Sequence, residues 1–400
     1  MTYFPLTDAE QSWLQRAETI AREVLGPNAA AADRTAEFPR RQLDALRAEG
    51  FFGLRGDRAH GGQGEGLLTT CLVTEALAKA CPSTALIYKM HLESIEMISR
   101  VPTAHQAEDL LPRLVSGEWL STVAGSEAGH QGGAWAGAPK SSVEPENGGY
   151  RVANIHKAFV TGAGLADSYF FLCQLKQEGA RPQQLMFQLQ RDDLSHTVDE
   201  AWDGLGMRAN HSSPMSFDGF VPEGRLLNPD NQRVDLMPVV LGTYAATYLG
   251  IAAGCFELLR EHVAGATLAD GRRMGEVETI GARLAICKIE LERSRALLYS
   301  ACSAFDHGRH GGAMPFFEAK VACDQLATFV TAEAMTVGGG AAFAKRLPFE
   351  RYFRDARAGM VMGIAHDVAV LNVAKMLFPK PKADRAGEGV TGPAATPASP

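Results

Sequence analysis

The sequence predicts an α+β, multi-domain protein in which helices come first, a β domain follows and helices return. Apolar residues recur at helical spacing in the first part, Gly, Ser and β-forming residues dominate the middle, and long helical periodicity fills the last part. A chain of 400 residues is also too long for one comfortable hydrophobic core. We therefore predict an N-terminal helical domain at residues 1–120, a β-barrel-like or sandwich domain at 121–235 and a C-terminal four-helix bundle at 236–379.

The N-terminal domain opens with a helix signal. Thr7 and Glu10 have the spacing of a capping box, and apolar residues follow them at helical intervals. Pro39 and Gly50 mark the ends of a second predicted helix. Apolar residues three or four positions apart then predict more helix over residues 67–101.

The middle of the chain reads as strands separated by turns. Turn-forming residues occupy 146–149 and 179–182. Between and beside them lie strand-like runs at residues 150–161, 169–175 and 185–189. These runs predict the β domain.

Long helices are predicted after residue 236, at 240–265, 275–305, 315–337 and 364–377. The uncharged stretch at 236–256 is long enough to span a bilayer, but its Pro, Gly and Thr residues favour a core helix. Gly250 and Gly254, one turn apart, would let a second helix approach closely. Residues 380–400 are rich in Pro, Ala and Gly and predict a disordered tail.

Composition excludes several classes of protein. With 46% hydrophobic and 21% charged residues and a net charge of −7, the chain is globular and mildly acidic. It has no basic run of the kind that nucleic-acid binding requires, and we expect no membrane attachment. The seven scattered cysteines predict free thiols in a reducing cytoplasm, and residues 1–11 lack a secretory signal. His307 and His310 have no third ligand, so no metal site is expected.

Two loops are candidates for binding a flat ligand. The small residues of 121–129 and 157–163 allow close backbone approach. Ser126 and Thr161 could hydrogen-bond the polar edge of such a ligand, and Phe159 could cover its face. From composition alone, a glycine-rich turn beside an ordinary strand remains the open alternative.

Taken together and in order, several short motifs resemble the acyl-CoA dehydrogenase family of flavoproteins over residues 5–378. They lie at residues 61–64, 74–78, 126–129, 157–162, 204–209, 338–343 and 354–357. The segment 126–129 matches the family's Thr-Glu-Pro-x-Ala-Gly-Ser flavin loop, and 157–162 matches its Lys-x-Trp-Ile-Thr-Asn. The segments 338–343 and 354–357 match its Gly-Gly-x-Gly-Phe and Arg-Asp-Ala motifs.

The resemblance implies FAD bound between the β domain and the C-terminal bundle, in a homotetramer or homodimer. It places Ser126 and Thr161 at the isoalloxazine edge, and Phe159 where the family usually has a Trp. A neighbouring subunit would contribute glycines to the dinucleotide. The family's phosphate-directed arginine is replaced here by Thr267. Arg272 or Arg273 could substitute for it, and an exposed arginine at a helix end is the open alternative. The implied cofactor-binding residues are therefore Ser126, Gly132, Phe159, Thr161, Arg272, Gly339 and Gly340.

The resemblance also shows a departure at the catalytic base. Gly363 stands where the family's last helix region usually has a glutamate, and the alternative base position of some members is Thr243. Asp367, one helical turn after Gly363, could substitute, although a helix-start carboxylate is as often a cap. The backbone N–H of Gly363 could still polarise a thioester carbonyl. The remaining candidate pocket residues are Met362, Tyr244 and His211.

Three functions stay open at this point. The first is α,β-dehydrogenation of an acyl-CoA or acyl-carrier-protein thioester with hydride transfer to flavin N5. An electron-transfer flavoprotein and molecular oxygen both stay open as the acceptor that reoxidises the flavin. The second is a flavin-dependent monooxygenase of the same fold, using O₂ and reduced flavin from a flavin reductase. The third is a non-catalytic flavin- or acyl-binding subunit. We rank the dehydrogenase first because the flavin loops and glycine motif are intact.

Overall fold

The computed structural model describes residues 4–379, apart from 101, 130–138, 177–182, 231, 233 and 310. The predicted disordered tail at 380–400 lies outside the described residues. The N-terminal helices are α1 (Asp8–Ile20), α2 (Gly26–Thr35), α3 (Arg40–Ala48), α4 (Leu67–Ala80), α5 (Pro82–Arg100) and α6 (Leu111–Val115). The predicted capping box begins α1: Thr7 N donates to Glu10 Oε2 at 2.7 Å, and Glu10 N donates to Thr7 Oγ1 at 3.3 Å.

The β domain is one curled sheet with its own apolar core. Its strands are β1 (Ser121–Ala124), β2 (Ser142–Glu146), β3 (Gly149–Val160), β4 (Ser168–Leu175), β5 (Gln183–Gln190), β6 (Ser195–Val198) and β7 (Ser213–Pro222). The strand order is β1-β4-β2-β3-β7-β6, with β5 on the other edge of β4. β4 runs parallel to β1 and β2, and the other pairs are antiparallel.

The C-terminal helices are α7 (Met237–Gly265), α8 (Glu278–Asp306), α9 (Met314–Phe343), α10 (Phe349–Ala356) and α11 (His366–Leu377). By length and hydropathy alone, α7 and α9 could each cross a membrane. The apolar window of α7 is 100% buried inside the molecule, which confirms the predicted core helix, whereas that of α9 is 39% buried.

Gly250 and Gly254 of α7 face α4, so another helix approaches them closely, as the sequence predicted. A Cβ built on Gly250 would lie 2.5 Å from Glu75 O, and one on Gly254 would lie 2.5 Å from Lys79 O. Only glycine permits this backbone approach.

The helices from both ends of the chain share a single apolar cluster, and the β domain has a second one. The predicted order of helices, sheet and helices is confirmed. Strand β1 begins at Ser121, and α7 begins at Met237 after the last strand. Residues of the β domain line one cavity together with residues of α5, α7 and the bend before α11.

Candidate active site

A cavity lies where the β-domain loops meet α5, α7 and the bend at residues 361–365. Its lining brings together five residues that the sequence predicted for the flavin or substrate site. The lining residues are Met90, Val123, Ser126, Phe159, Thr161, Tyr244 and Gly363.

The two predicted flavin loops are joined through their backbones. Ser126 and Phe159 form an antiparallel bridge, and Ala158 N donates to Ser126 O at 2.8 Å. The Phe159 side chain is 60% exposed, which is unusual for a large apolar ring and suits a ligand-covered position. Thr161 is buried at the cavity, and its hydroxyl lies 3.0 Å from Ser212 Oγ.

A buried ion pair between Lys157 and Glu127 joins the two loops. Lys157, two residues before Phe159, donates from Nζ to Glu127 Oε1 at 2.5 Å, to Leu172 O at 2.5 Å and to Ser141 Oγ at 3.0 Å. Glu127 directly follows Ser126 and also accepts from Lys140 N at 2.6 Å. Burial opposes ionisation of Glu127, but Lys157 and these hydrogen bonds outweigh it and lower the pKa of the carboxyl.

On the opposite wall, the ring of Tyr244 covers Gly363, the residue that the sequence resemblance aligns with the family's glutamate. Gly363 has φ +72°, and a Cβ built on it would lie 2.6 Å from Cε2 of Tyr244 and 2.8 Å from Cδ2 and Cζ. Real side chains do not approach so closely, and positive φ disfavours any residue but glycine. Gly363 therefore contributes only main-chain atoms to the cavity.

A second buried ion pair, missed in the sequence, lies behind Tyr244. The Lys89 ammonium is 3.2 Å from the centroid of the Tyr244 ring, a cation–π contact, and pairs with the Glu93 carboxylate. Burial lowers the pKa of Lys89 to about 8 and raises the pKa of Glu93. A Lys and a Glu four residues apart in the 82–98 helical segment were the available sequence signal.

A third buried pair, also missed, holds the bend before α11. Lys320 donates from Nζ to Asp324 Oδ2 at 2.6 Å and to Gly359 O at 2.9 Å. His366 Nδ1 lies 3.3 Å from the same Asp324 oxygen. Burial raises the pKa of Asp324. These contacts anchor the chain on both sides of Gly363.

Comparison with known proteins decides the family. The family profile "Acyl-CoA dehydrogenase, N-terminal domain" matches residues 7–118, and "Acyl-CoA dehydrogenase, C-terminal domain" matches residues 242–378. The chain belongs to the acyl-CoA dehydrogenase family. Members of this family are flavin oxidoreductases, and their cofactor is FAD.

Two curated relatives and one solved structure illustrate the similarity. The short/branched chain specific acyl-CoA dehydrogenase of Bos taurus is 26% identical, covering 93% of this chain and 86% of the relative. The 3-sulfinopropanoyl-CoA desulfinase of Paraburkholderia xenovorans is 26% identical, covering 94% of this chain and 97% of the relative. Butyryl-CoA dehydrogenase from Megasphaera elsdenii shares the fold with a TM-score of 0.87 and 23% identity, covering 94% and 99% of the chains.

The residues of this acyl-CoA dehydrogenase family member fit an FAD. The exposed Phe159 ring is free to cover a flat ligand, and Asn210 Nδ2, buried beside the Thr161 loop, has no partner among the described residues. Gly339 breaks α9 with φ +52° and ψ −136°. Nothing lies within 4 Å of a Cβ built on Gly339 or Gly340, so a dinucleotide could approach their backbone.

A further predicted cofactor residue, Arg272, is not brought to the cavity. Arg272 lies in the loop before α8, where its exposed guanidinium pairs with Asp270 at 2.7 Å. Gly132 lies outside the described residues.

The predicted catalytic and substrate residues fall into two groups. Tyr244 and Gly363 line the cavity, and half-buried Met362 adjoins Gly363. The others lie elsewhere. Asp367 is exposed in the first turn of α11, so the structure does not bring the predicted substitute base to the cavity. Thr243 is buried and its hydroxyl donates to Val239 O at 2.8 Å.

His211 also points away from the cavity. Its Nε2 lies 2.7 Å from Ala36 O, and its ring packs edge-on against Phe38. The imidazole therefore fastens the β domain to the chain that leaves α2, which is a structural role.

Proposed function

We propose that the protein is an FAD-dependent oxidoreductase that carries out α,β-dehydrogenation of an acyl thioester, attached to CoA or to an acyl carrier protein. The observation that carries the proposal is the cavity itself. It sets Ser126, Phe159 and Thr161 of the flavin loops opposite the backbone of Gly363. The curated relatives that span more than nine-tenths of this chain are named for acyl-CoA substrates, which supports the thioester.

Each wall of the cavity has its own task in this proposal. Bound FAD supplies a two-electron acceptor that takes a hydride from the β-carbon of the substrate. The hydroxyls of Ser126 and Thr161 bind the polar edge of the cofactor, and Phe159 covers it. The Gly363 N–H donates to the thioester carbonyl and stabilises negative charge there. Tyr244 excludes water beneath the acyl chain.

Dehydrogenation also releases a proton from the α-carbon, and here the site differs from the usual family pattern. Among the described residues, those that line the cavity include no carboxylate and no imidazole. Loss of a general base costs on the order of 10²- to 10⁴-fold in rate. We therefore expect slow oxidation of plain saturated thioesters.

The test is anaerobic reduction of the purified, FAD-loaded protein by a panel of acyl-CoA and acyl-carrier-protein thioesters, followed as loss of the yellow flavin absorbance. Bleaching by at least one thioester is the expected result. The Thr161→Val variant, which lacks one predicted cofactor contact, should bind FAD less tightly. A colourless protein with no affinity for FAD would leave only a non-catalytic role.

A second candidate is a flavin-dependent monooxygenase. The observation that favours it is the same lack of a carboxylate or imidazole among the described residues that line the cavity, because a reaction of reduced flavin with O₂ needs no thioester base. Oxygen consumption driven by NAD(P)H and an added flavin reductase, without anaerobic bleaching by any thioester, would select this function. Electron-transfer flavoprotein is the partner of the first candidate and a flavin reductase that of the second.

We also propose a homotetramer or homodimer. Several large apolar side chains near the C-terminal end are exposed in the single chain, namely Phe343 at 81%, Leu371 at 56% and Phe378 at 80%. Phe343 lies one turn after Gly339 and Gly340, so a neighbouring subunit here would also complete the predicted dinucleotide contact. Light scattering on the purified protein tests this.

A further inference from the structure

The aromatic ring of Tyr244 lies between two groups, one on each face. A Cβ built on Gly363 is nearly equidistant from three adjacent ring carbons, at 2.6, 2.8 and 2.8 Å, so Gly363 lies over the face and not at the edge. The Lys89 ammonium is 3.2 Å from the ring centroid. If it lay on the same face, it would be nearer to that Cβ than the ring carbons are. The three nearest atoms are all ring carbons, so Lys89 occupies the opposite face.

The ring has little freedom to move aside. Tyr244 is 4% exposed, and its ring stacks on that of Tyr248, one turn along α7, with centroids 6.2 Å apart and an interplanar angle of 15°. Lys89 is itself fully buried and held by Glu93. A shift of the ring away from Gly363 would press it against a buried, paired ammonium.

A glutamate at position 363 therefore conflicts with this wall in two ways. Its Cβ would collide with the ring, and its backbone would have to keep φ +72°. Two segments of the chain, the bend at Gly363 and α7 at Tyr244, thus both exclude a base. A Gly363→Glu substitution alone would restore the carboxylate but not the space that it needs.

We propose that Tyr244 is a specificity-determining residue that excludes a protein base from the α-carbon, so that the site takes thioesters whose α C–H bond is already acidified by a neighbouring electron-withdrawing group. This inference rests on the proposed function. In the step concerned, the α C–H bond breaks, the proton passes to water, and the electron pair remains on the substrate as an enolate whose oxygen accepts from the Gly363 N–H. No oxidant is consumed in this step.

The test measures exchange of α-hydrogen for deuterium in D₂O by NMR, with anaerobic, FAD-loaded protein and no electron acceptor. Two probes are compared. Butanoyl-CoA has an unactivated α-carbon, whereas phenylacetyl-CoA is acidified by its aryl group and has no β-hydrogen to transfer. The wild type should accelerate exchange of phenylacetyl-CoA above the buffer rate and leave butanoyl-CoA at the buffer rate.

A double variant should gain the exchange of butanoyl-CoA that the wild type lacks. Combined Gly363→Glu and Tyr244→Ala should exchange butanoyl-CoA about 10²-fold or more above the wild type, as expected when a general base is supplied. Gly363→Glu alone should not. Wild-type exchange of butanoyl-CoA well above the buffer rate, or equal exchange by the single and double variants, would overturn the proposal.

A second measurement needs no ligand. Gly363→Ala should lower the melting temperature more in the wild type than in the Tyr244→Ala background, because only the former has the steric contact. Tyr244→Leu replaces Tyr244→Ala if the latter fails to fold. An equal decrease in melting temperature in both backgrounds would show that a side chain at position 363 does not collide with the Tyr244 ring. If calorimetry shows that the wild type binds neither thioester, the proposed function fails, and this comparison still decides whether Tyr244 closes the position.

Discussion

The imidazole of His91 on α5 accepts a hydrogen bond at Nδ1 from the backbone N–H of Ser121, at 3.0 Å, where β1 begins. Since Nδ1 accepts, Nε2 carries the proton and donates to Leu114 O, also at 3.0 Å. One neutral, fully buried ring thus joins the N-terminal helices to the β domain.

This ring makes stability depend on pH. Burial lowers the pKa of His91 from 6.5 to about 4. Because the folded-state pKa is depressed, the stabilisation is fully present above pH 6.5 and is lost as the pH falls towards 4, by about 3 kcal/mol. Chemical unfolding of wild type and His91→Gln at several pH values gives the free energy of unfolding as a function of pH. Between pH 6.5 and 4 this free energy should fall less steeply for the variant. Equal pH dependence of the free energy of unfolding in the two proteins would contradict the assignment of this effect to His91.

The Lys157–Glu127 pair beneath the flavin loops gives a second prediction. Lys157→Met leaves Glu127 buried without its cation, which costs about 3–5 kcal/mol and should release FAD. Lys176→Met is the matched control, because Lys176 also pairs with a glutamate, Glu144, but at the surface, where such a pair contributes about 0–1 kcal/mol. Denaturant unfolding and flavin content distinguish the two. Similar losses of unfolding free energy and of flavin in both variants would show that the buried pair contributes no more than the surface pair.

Asp367→Asn tests the substitute base that the sequence suggested. Because Asp367 is exposed on α11 and does not line the cavity, the rate of anaerobic flavin reduction by a bleaching thioester should stay unchanged. A catalytic base would show a loss on the order of 10²- to 10⁴-fold. Stopped-flow absorbance gives the rate, and a loss of that size would restore Asp367 to the mechanism.

Gly339 gives a fourth prediction. Its φ of +52° and ψ of −136° inside α9 disfavour any side chain, so Gly339→Ala should cost about 1–3 kcal/mol and lower the flavin content. Gly281→Ala in the first turn of α8 is the control. Its Cβ would meet nothing within 4 Å, and there alanine should stabilise by about 0.5–1 kcal/mol. Thermal unfolding and the flavin-to-protein absorbance ratio give the comparison.

Local patterns were sufficient to predict much of the fold. The capping box at Thr7 depends only on residues three apart in sequence. The spacing of Gly250 and Gly254, one turn apart, was likewise enough to predict close approach of another helix. Strands β3, β4 and β5 were also predicted, from the runs at 150–161, 169–175 and 185–189. Strands β1 and β7 were missed, and residues 121–124 of the predicted loop 121–129 form β1. The short, polar strands β2 and β6 were missed too, because their residues, SVEPE and SHTV, carry no apolar alternation and are ordered by pairing with β3, β4 and β7.

The site shows the same division. Ser126, Phe159 and Thr161 could be placed from motifs, and the structure brings them into one cavity. The relation between Gly363 and Tyr244 could not be predicted, because it depends on the direction of a bend and of a helix far apart in the chain. Lys89 and Glu93 have the spacing of an ordinary helix pair, and only tertiary burial places them behind the Tyr244 ring.

The shared core of α4 and α7 has a consequence for synthesis on the ribosome. The whole β domain is translated between these two helices, which takes about 10 to 30 s at ordinary elongation rates. During that interval the sheet can close around its own apolar residues, whereas α4 still lacks the glycine-bearing surface of α7 against which it packs. The nascent N-terminal helices therefore present an uncovered apolar face until α7 has been synthesised.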